Sequence, residues 1–357
     1  MVAGDHRFVF LPRGYLYLVA VACTTESEAM LQAQLEYLYA QIISILTAGI
    51  MRVFERQPSA DVRHLLDGTL HVLHGLIDRM DHTPAFMLSS VECLRLPFSV
   101  RSDITKALLS NTKTLNIVYG VIACGFKVVS VVRPRKHTLH VQDLLLLLHF
   151  VNSSSGFKTG ETWSPICLPN FNDKGFLYAY IHFLSPTVSI ALLTADSKLF
   201  HEFSTCKNSI VRFLEESQYL DMVTSAVEEA DFSAAHCNVP HLRHFIYKSL
   251  SPYNHGGVSN FISPVWDGVY SSSDSRNRAF RLYQNIHTRV HGEDNRLCRK
   301  LYFQTSQYEA VLAWTQDEFE LYALFGPLVV KPSAISACNK LMRWIKREEH
   351  GLLLPLL

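Results

Sequence analysis

The order of strand-like and helix-like segments repeats along this chain, and that repeat restricts its fold more than any short motif. Asn116 to Cys124 and Lys127 to Arg133 read as a hairpin turning at Gly125. Val141 to Val151 follows as a helix so apolar that it must be buried on most sides. After a Ser/Gly break at 153–156 come strands at Pro165 to Leu168, Phe176 to Leu184 and Val188 to Thr194. Asp196 or Ser197 is placed to cap a helix with the stripe Leu199, Phe203, Cys206, Ile210 and Leu214, and a short helix spans Leu220 to Val227. Beyond a boundary at Glu228 to Pro240 nearly the same order returns. Strands at Phe245 to Leu250 and Phe261 to Val265 precede a helix at Asp274 to Val290. Strands at Leu301 to Thr305, Tyr308 to Trp314 and Glu318 to Phe325 lead to a helix at Ser333 to Arg347. No residue-level repeat accompanies this architectural one. Two α+β units are expected, each an antiparallel sheet with helices on its faces.

The first unit does not fit the scheme. His6 to Cys23 forms only two strands around Leu11-Pro12-Arg13-Gly14. Two long helices follow, Ser27 to Leu46 with the stripe Leu31, Leu35, Leu38, Ile42 and Ile45, and Asp61 to Met80 between Pro58 and Pro84. Two strands make a marginal sheet, yet such helices need a sheet to cover. Another chain, or residues absent from this one, would complete it. The expected organisation is therefore 1–92, an incomplete unit, then 93–230 and 231–357.

Composition sharpens the point. Of 357 residues, 48% are hydrophobic and 18% charged, with mean hydropathy +0.10. This excludes a disordered chain. Net charge +1 excludes a nucleic-acid binder held by a general field. The apolar excess demands deeply buried sheets or surface covered by partners. The longest apolar runs, Tyr15 to Cys23 and Leu144 to Leu148, fall short of the ~18 residues a membrane span requires. Arg13, Leu16 to Val19 and Ala20-Val21-Ala22 resemble a signal peptide, but Asp5 and Pro12-Arg13-Gly14 favour a strand after a turn. The eight cysteines include no Cys-x-x-Cys pair and mostly lie in apolar stretches, which fits a reducing, cytoplasmic setting. The sequon Asn152-Ser153-Ser154 would then stay unmodified.

Reaction chemistry is hard to find. There is no Gly-x-Ser-x-Gly, no Gly-x-Gly-x-x-Gly after a strand and no His-Glu-x-x-His. Gly156-Phe157-Lys158-Thr159-Gly160-Glu161-Thr162 lacks the lysine and spacing of a phosphate loop and reads as an exposed loop. The best metal-like set is His236, Cys237, His241 and His244, which has no matching second pair and includes Pro240 in a linker. Glu215-Glu216, Glu228-Glu229 and Glu348-Glu349 sit near helix ends, where solvated charge is ordinary. No catalytic residue, metal or cofactor is expected. Two basic groups remain: Lys127, Arg133, Arg135 and Lys136, and on the last helix Lys340, Arg343, Lys346 and Arg347. They read either as solvated faces or as contacts with anionic headgroups, at ~1 kcal/mol per charge.

Phe8-Val9-Phe10-Leu11 through Ala20-Val21-Ala22-Cys23 and the helix Leu31 to Leu46 resemble the Mon (SAND) family of vacuolar fusion proteins. So do Trp163-Ser164-Pro165-Ile166-Cys167-Leu168-Pro169, Gly175-Phe176-Leu177-Tyr178-Ala179-Tyr180 and Leu301 to Lys331, in the family's order. The resemblance implies three tandem longin domains. It also implies a heterodimer with a Ccz-family subunit, acting as guanine-nucleotide exchange factor for the late-endosomal Rab GTPase. The complex would be recruited peripherally to endosome and vacuole or lysosome membranes bearing anionic phosphoinositides. The family's polar N-terminal region and the strands and helix before Phe8 are not in this chain, so the first longin domain is expected to be a remnant. An adaptor binding a partner subunit or anionic membrane without exchange activity is the alternative. Exchange needs no covalent catalysis, only tighter binding of the nucleotide-free GTPase. Arg13, Tyr15 and Tyr17 on the hairpin and Tyr37 and Tyr39 on the first helix are the partner-interface candidates, with packing inside the unit as the alternative for each.

Overall fold

The computed structural model describes residues 2–134, 136–229, 232–250, 258–292 and 299–354, with side chains left aside at 227–229. The N-terminal sheet is β1 (Val2–Ala3), β2 (His6–Arg13) and β3 (Leu16–Ala22), in that order and antiparallel. Arg13 pairs with Leu16, so the hairpin loop is only Gly14-Tyr15, and Gly14 takes the positive φ (59°) such a loop needs. The period of two points Val9 and Leu11 inward and Phe10, Val19 and Val21 outward. Helix α1 (Glu28–Leu46) starts where Ser27 Oγ accepts from Met30 N, and breaks at Thr47 (φ 61°). Ala48 N donates to Asp173 O across 2.6 Å, and α2 (Ile50–Arg56) leaves at 84° to α1.

The helix expected over Asp61 to Met80 is shorter. Residues 63–65 and 67–69 form 3-10 turns, and only α3 (Leu70–Met80) is α-helical. Asp61 Oδ1 accepts from Arg63 N, a local bond that competes with the helix ladder, and Gly68 weakens the segment further. The short α4 (Pro84–Leu88) and β4 (Val91–Glu92) close this unit.

The second unit opens with α5 (Phe98–Thr112), a helix that the hydrophobic pattern hides. Its inward face carries Arg101 and Thr105, both buried, so no clean apolar stripe shows. Then follow β5 (Ile117–Cys124), β6 (Lys127–Val132), α6 (Val141–Ser153), β7 (Thr162–Leu168), α7 (Pro169–Asn172), β8 (Asp173–Phe183), β9 (Val188–Thr194), α8 (Phe200–Glu216) and α9 (Tyr219–Glu229). Neither Asp196 nor Ser197 caps α8, whose N-cap is Leu199; Asp196 Oδ1 instead accepts from Lys198 N in the preceding turn. The third unit runs β10 (Leu242–Ser249), β11 (Asn260–Ile262), α10 (Ser273–His291), β12 (Leu301–Thr305), β13 (Ala310–Gln316), β14 (Phe319–Phe325) and α11 (Lys331–Leu352). The expected linker before it is packed in its described part: residues 234–237 form a 3-10 turn, and Phe232 lies buried 5.5 Å from the Trp344 ring.

Sheet orders bear out the architectural repeat. The second unit reads β6-β5-β9-β8-β7 and the third β12-β13-β14-β10-β11, so in each the last strand inserts beside the first. One segment joins the two sheets. Val91 and Glu92 pair in parallel with Asn260 and Phe261 on β11, while Cys93 bridges to Val128 on β6. Residues 91–94 thus lie along an edge of both sheets. Arg101, fully buried, fixes this strap: its guanidinium donates to Leu94 O, to Val129 O on β6 and to Gly351 O in α11.

The first unit is anchored by the others. Residues of α1, α3, α6, α10 and both large sheets share one apolar core, including Met30, Leu76, Leu146 and Tyr283. Ser27 Oγ lies 2.8 Å from Thr288 Oγ1 on α10. Helix α1 therefore has two covers: its hairpin on Leu31 and Leu35, and the other units on Met30 and Tyr37. The missing sheet inferred for these helices is supplied largely by the same chain. Among the described residues no single helix is long and apolar enough to cross a membrane.

Candidate functional site

The outer face of the N-terminal hairpin carries several exposed apolar side chains. Cross-strand register pairs Phe8 with Val21, Phe10 with Val19 and Pro12 with Tyr17, all on the side away from Val9 and Leu11. Tyr17 is 75% exposed, Val21 56%, Phe10 52% and Val19 48%. Scattered exposed apolar residues are ordinary; four neighbouring ones, Phe10, Tyr17, Val19 and Val21, form a stripe suited to a partner. At its end, Arg13 forms an ion pair with Glu36 on α1, and its guanidinium carbon lies 5.9 Å from the Tyr39 ring centre. Tyr15 leans on Phe54 of α2 at 5.7 Å. Arg13, Tyr15 and Tyr17 are thus brought to one end of the stripe, with Tyr39 half-buried beneath. Tyr37 is corrected: only 5% exposed, it packs edge-on to Phe86 at 5.0 Å and its hydroxyl lies 3.1 Å from Ser89 Oγ. It belongs to the core because α1 turns that face toward the other units.

The basic groups fare differently. Lys127 and Arg133 stand at opposite ends of β6, about 20 Å apart. Lys127 pairs with Glu92 at 3.4 Å, and Arg133 donates to His137 O within its own loop. Lys136 is exposed, and Arg135 lies outside the described residues. These residues do not converge. On α11, by contrast, Arg343 and Lys346 line a cleft of about 430 Å³ with Trp314, Gln316, Ser336 and Asn339. Lys340 is exposed on the same helix, and Arg347 is drawn to Glu348 at 3.3 Å. The cleft joins cations, amides and an indole.

The metal-like set is dispersed. His236 Nδ1 accepts from Ser233 N, closing a capping box. Cys237 is buried, and burial pushes its thiol up to about 12. His241 takes a left-handed φ of 62° before β10. His244 is stacked on Trp266 at 3.6 Å, with Nε2 3.0 Å from Pro264 O and Nδ1 3.0 Å from Tyr283 OH. Because a carbonyl only accepts, Nε2 carries the proton and Nδ1 accepts from the tyrosine. Neither nitrogen is left for a metal.

Burial holds the His244 imidazole down from 6.5 to about 3. Below pH ~6.5 the unfolded chain therefore takes up a proton that the folded chain refuses. Stability from this residue is complete above that pH and falls as pH drops toward 3. The slope is ~1.4 kcal/mol per pH unit. His244→Asn should remove about that slope between pH 6 and 4, read as denaturant midpoints across pH; parallel curves for both proteins would refute it.

Pattern reading also missed a cluster that the fold assembles. His287 and His291 on α10 and Glu320 on β14 bring ligand-type atoms within 4.8 Å of one another. The His-x-x-x-His spacing straddles the end of the helix expected over Asp274 to Val290, and its carboxylate partner lies 29 residues beyond His291.

Comparison with known proteins shows the family. Residues 1–76, 115–212 and 241–349 match models of the first, second and third longin domains of FUZ, MON1 and HPS1. Over 353 residues the chain is 38% identical to vacuolar fusion protein MON1 homolog A of Gallus gallus, covering 98% of this chain and 63% of the relative. It is 34% identical to vacuolar fusion protein MON1 of Cryptococcus neoformans, covering 99% of this chain and 57% of that protein. Identity to protein SAND of Takifugu rubripes is 35%, covering 98% and 66% respectively. The chain thus spans 57–66% of the length of these three relatives. With three longin matches in order and full-chain similarity, this protein belongs to the MON1/SAND family of vacuolar fusion proteins.

Proposed function

We propose that this chain is a subunit of a guanine-nucleotide exchange complex for the late-endosomal Rab GTPase, paired with a Ccz-family subunit and promoting vacuole or lysosome fusion. The observation that carries the reading is the exposed stripe Phe10, Tyr17, Val19 and Val21 on the first longin unit, an apolar face of the kind a second longin subunit covers. The chemistry asked of such a subunit is conformational: it holds the GTPase in the state that releases nucleotide. The complex works from the cytoplasm at endosomal and vacuolar membranes. The test is nucleotide release from the Rab with this chain and its Ccz partner. Acceleration over Rab alone is expected, and equal rates would refute the reading.

A second reading is favoured by the α11 cleft: an adaptor that docks the partner and the membrane without driving exchange. Reversing both cations, Arg343→Glu with Lys346→Glu, should weaken binding to phosphoinositide vesicles at least tenfold, at ~1 kcal/mol per near-surface charge. Co-sedimentation unchanged by the double substitution would remove this cleft as the lipid contact.

A further inference from the structure

The geometry points to a divalent transition-metal site, of the zinc type, formed by His287, His291 and Glu320 at the end of α10. The two histidines are four residues apart and so project from one helix face. Their rings lie 4.3 Å apart. Glu320 reaches them from β14, with Oε2 3.1 Å from His291 Nε2, already near the spacing of two ligands on one tetrahedral ion. All three ligand-type atoms fall within 4.8 Å of one another, so ring rotation at His287 suffices to close the set.

The surroundings favour a metal over a simple ion pair. Lys248 Nζ stands 3.4 Å from Glu320 Oε1, which orients the carboxylate and leaves Oε2 toward the histidines. Tyr322 OH donates to Glu320 Oε2 at 2.9 Å and lies 3.3 Å from His291 Nε2, an outer partner of the sort that steadies ligands. A lysine–glutamate pair alone needs no histidine. Yet His287 is buried, only 7% exposed, and its ring makes no hydrogen bond among the described residues. The His291 side chain keeps 11% exposure, which provides a route inward. Imidazole and carboxylate ligands suit zinc, cobalt and nickel over calcium or magnesium.

The test uses the purified full chain titrated with Co²⁺ and Zn²⁺. One ion per chain is expected, with visible d–d bands of tetrahedral intensity and no thiolate charge-transfer band, since the ligands are nitrogen and oxygen. Zn²⁺ should displace Co²⁺ and raise the thermal transition. His287→Gln, which keeps a polar side chain of similar reach, should weaken the affinity at least 100-fold while preserving the far-ultraviolet spectrum. Glu320→Gln should do the same. Absence of saturable one-to-one binding would overturn the proposal, as would a thiolate band or affinity unchanged in His287→Gln. If neither variant folds, the wild-type spectrum and stoichiometry still decide.

Discussion

Arg101→Met is expected to destabilise the protein by ~2–4 kcal/mol, the cost of leaving buried carbonyls without their charged donor. The side chain is fully buried and serves three carbonyls from three places in the fold: Leu94 in the strap, Val129 on β6 and Gly351 near the end of α11. Methionine fills a similar volume without donating, so those carbonyls lose their arginine partner. Burial lowers the Arg101 pKa, with Cys93 acting in the opposite sense, but a guanidinium stays charged at neutral pH. The loss should appear as a lower denaturant midpoint together with faster hydrogen exchange at the amides of Leu94 and Leu96, which bond Val128 O and Gly351 O. A midpoint within ~0.5 kcal/mol of wild type would show that the arginine is a passenger rather than the staple between the second and third units.

Phe10→Asp with Val21→Asp is expected to abolish partner capture while leaving the isolated chain folded. Both positions are more than half exposed on the free hairpin, so the folded chain loses little more than strand propensity, under ~1 kcal/mol each. In a covered apolar interface each carboxylate would be desolvated without a partner, at several kcal/mol apiece. Since each 1.4 kcal/mol is tenfold, the combined loss should exceed ~1,000-fold. Pull-down or calorimetry with the Ccz subunit reads it, and a thermal melt of the variant checks the fold. Val9→Asp gives the contrast: Val9 faces α1 and is buried, so that substitution should damage folding itself. Undiminished capture by the double variant would show that the partner sits elsewhere.

The stripe was half legible beforehand. Apolar runs on both sides of Pro12-Arg13-Gly14 marked a hairpin, but only the position of α1 decides which of its faces is covered. The same helix explains the misassignment of Tyr37: its outward-seeming place on a lone amphipathic helix is a core place once α6, α10 and the β7 edge pack around it. Helix α5 was hidden for a related reason. Arginine and threonine at its buried positions erase the apolar stripe, and their partners, the Val129 carbonyl and Ser130 Oγ, lie on a strand 25 or more residues away.

By itself the amino-acid order determined the repeated α+β plan, nearly every strand of the two large sheets and the absence of familiar reaction motifs. Those properties rest on local periodicity, turn glycines and spacing, which a chain carries before it folds. Only the tertiary structure decided that residues 91–94 edge both sheets, that Arg101 staples them to α11, and that His236, Cys237, His241 and His244 scatter while His287, His291 and Glu320 meet. Each of these depends on contacts between residues far apart in the chain. Burial, ligand geometry and the unpaired face of a hairpin are set by what packs nearby, which no local pattern encodes.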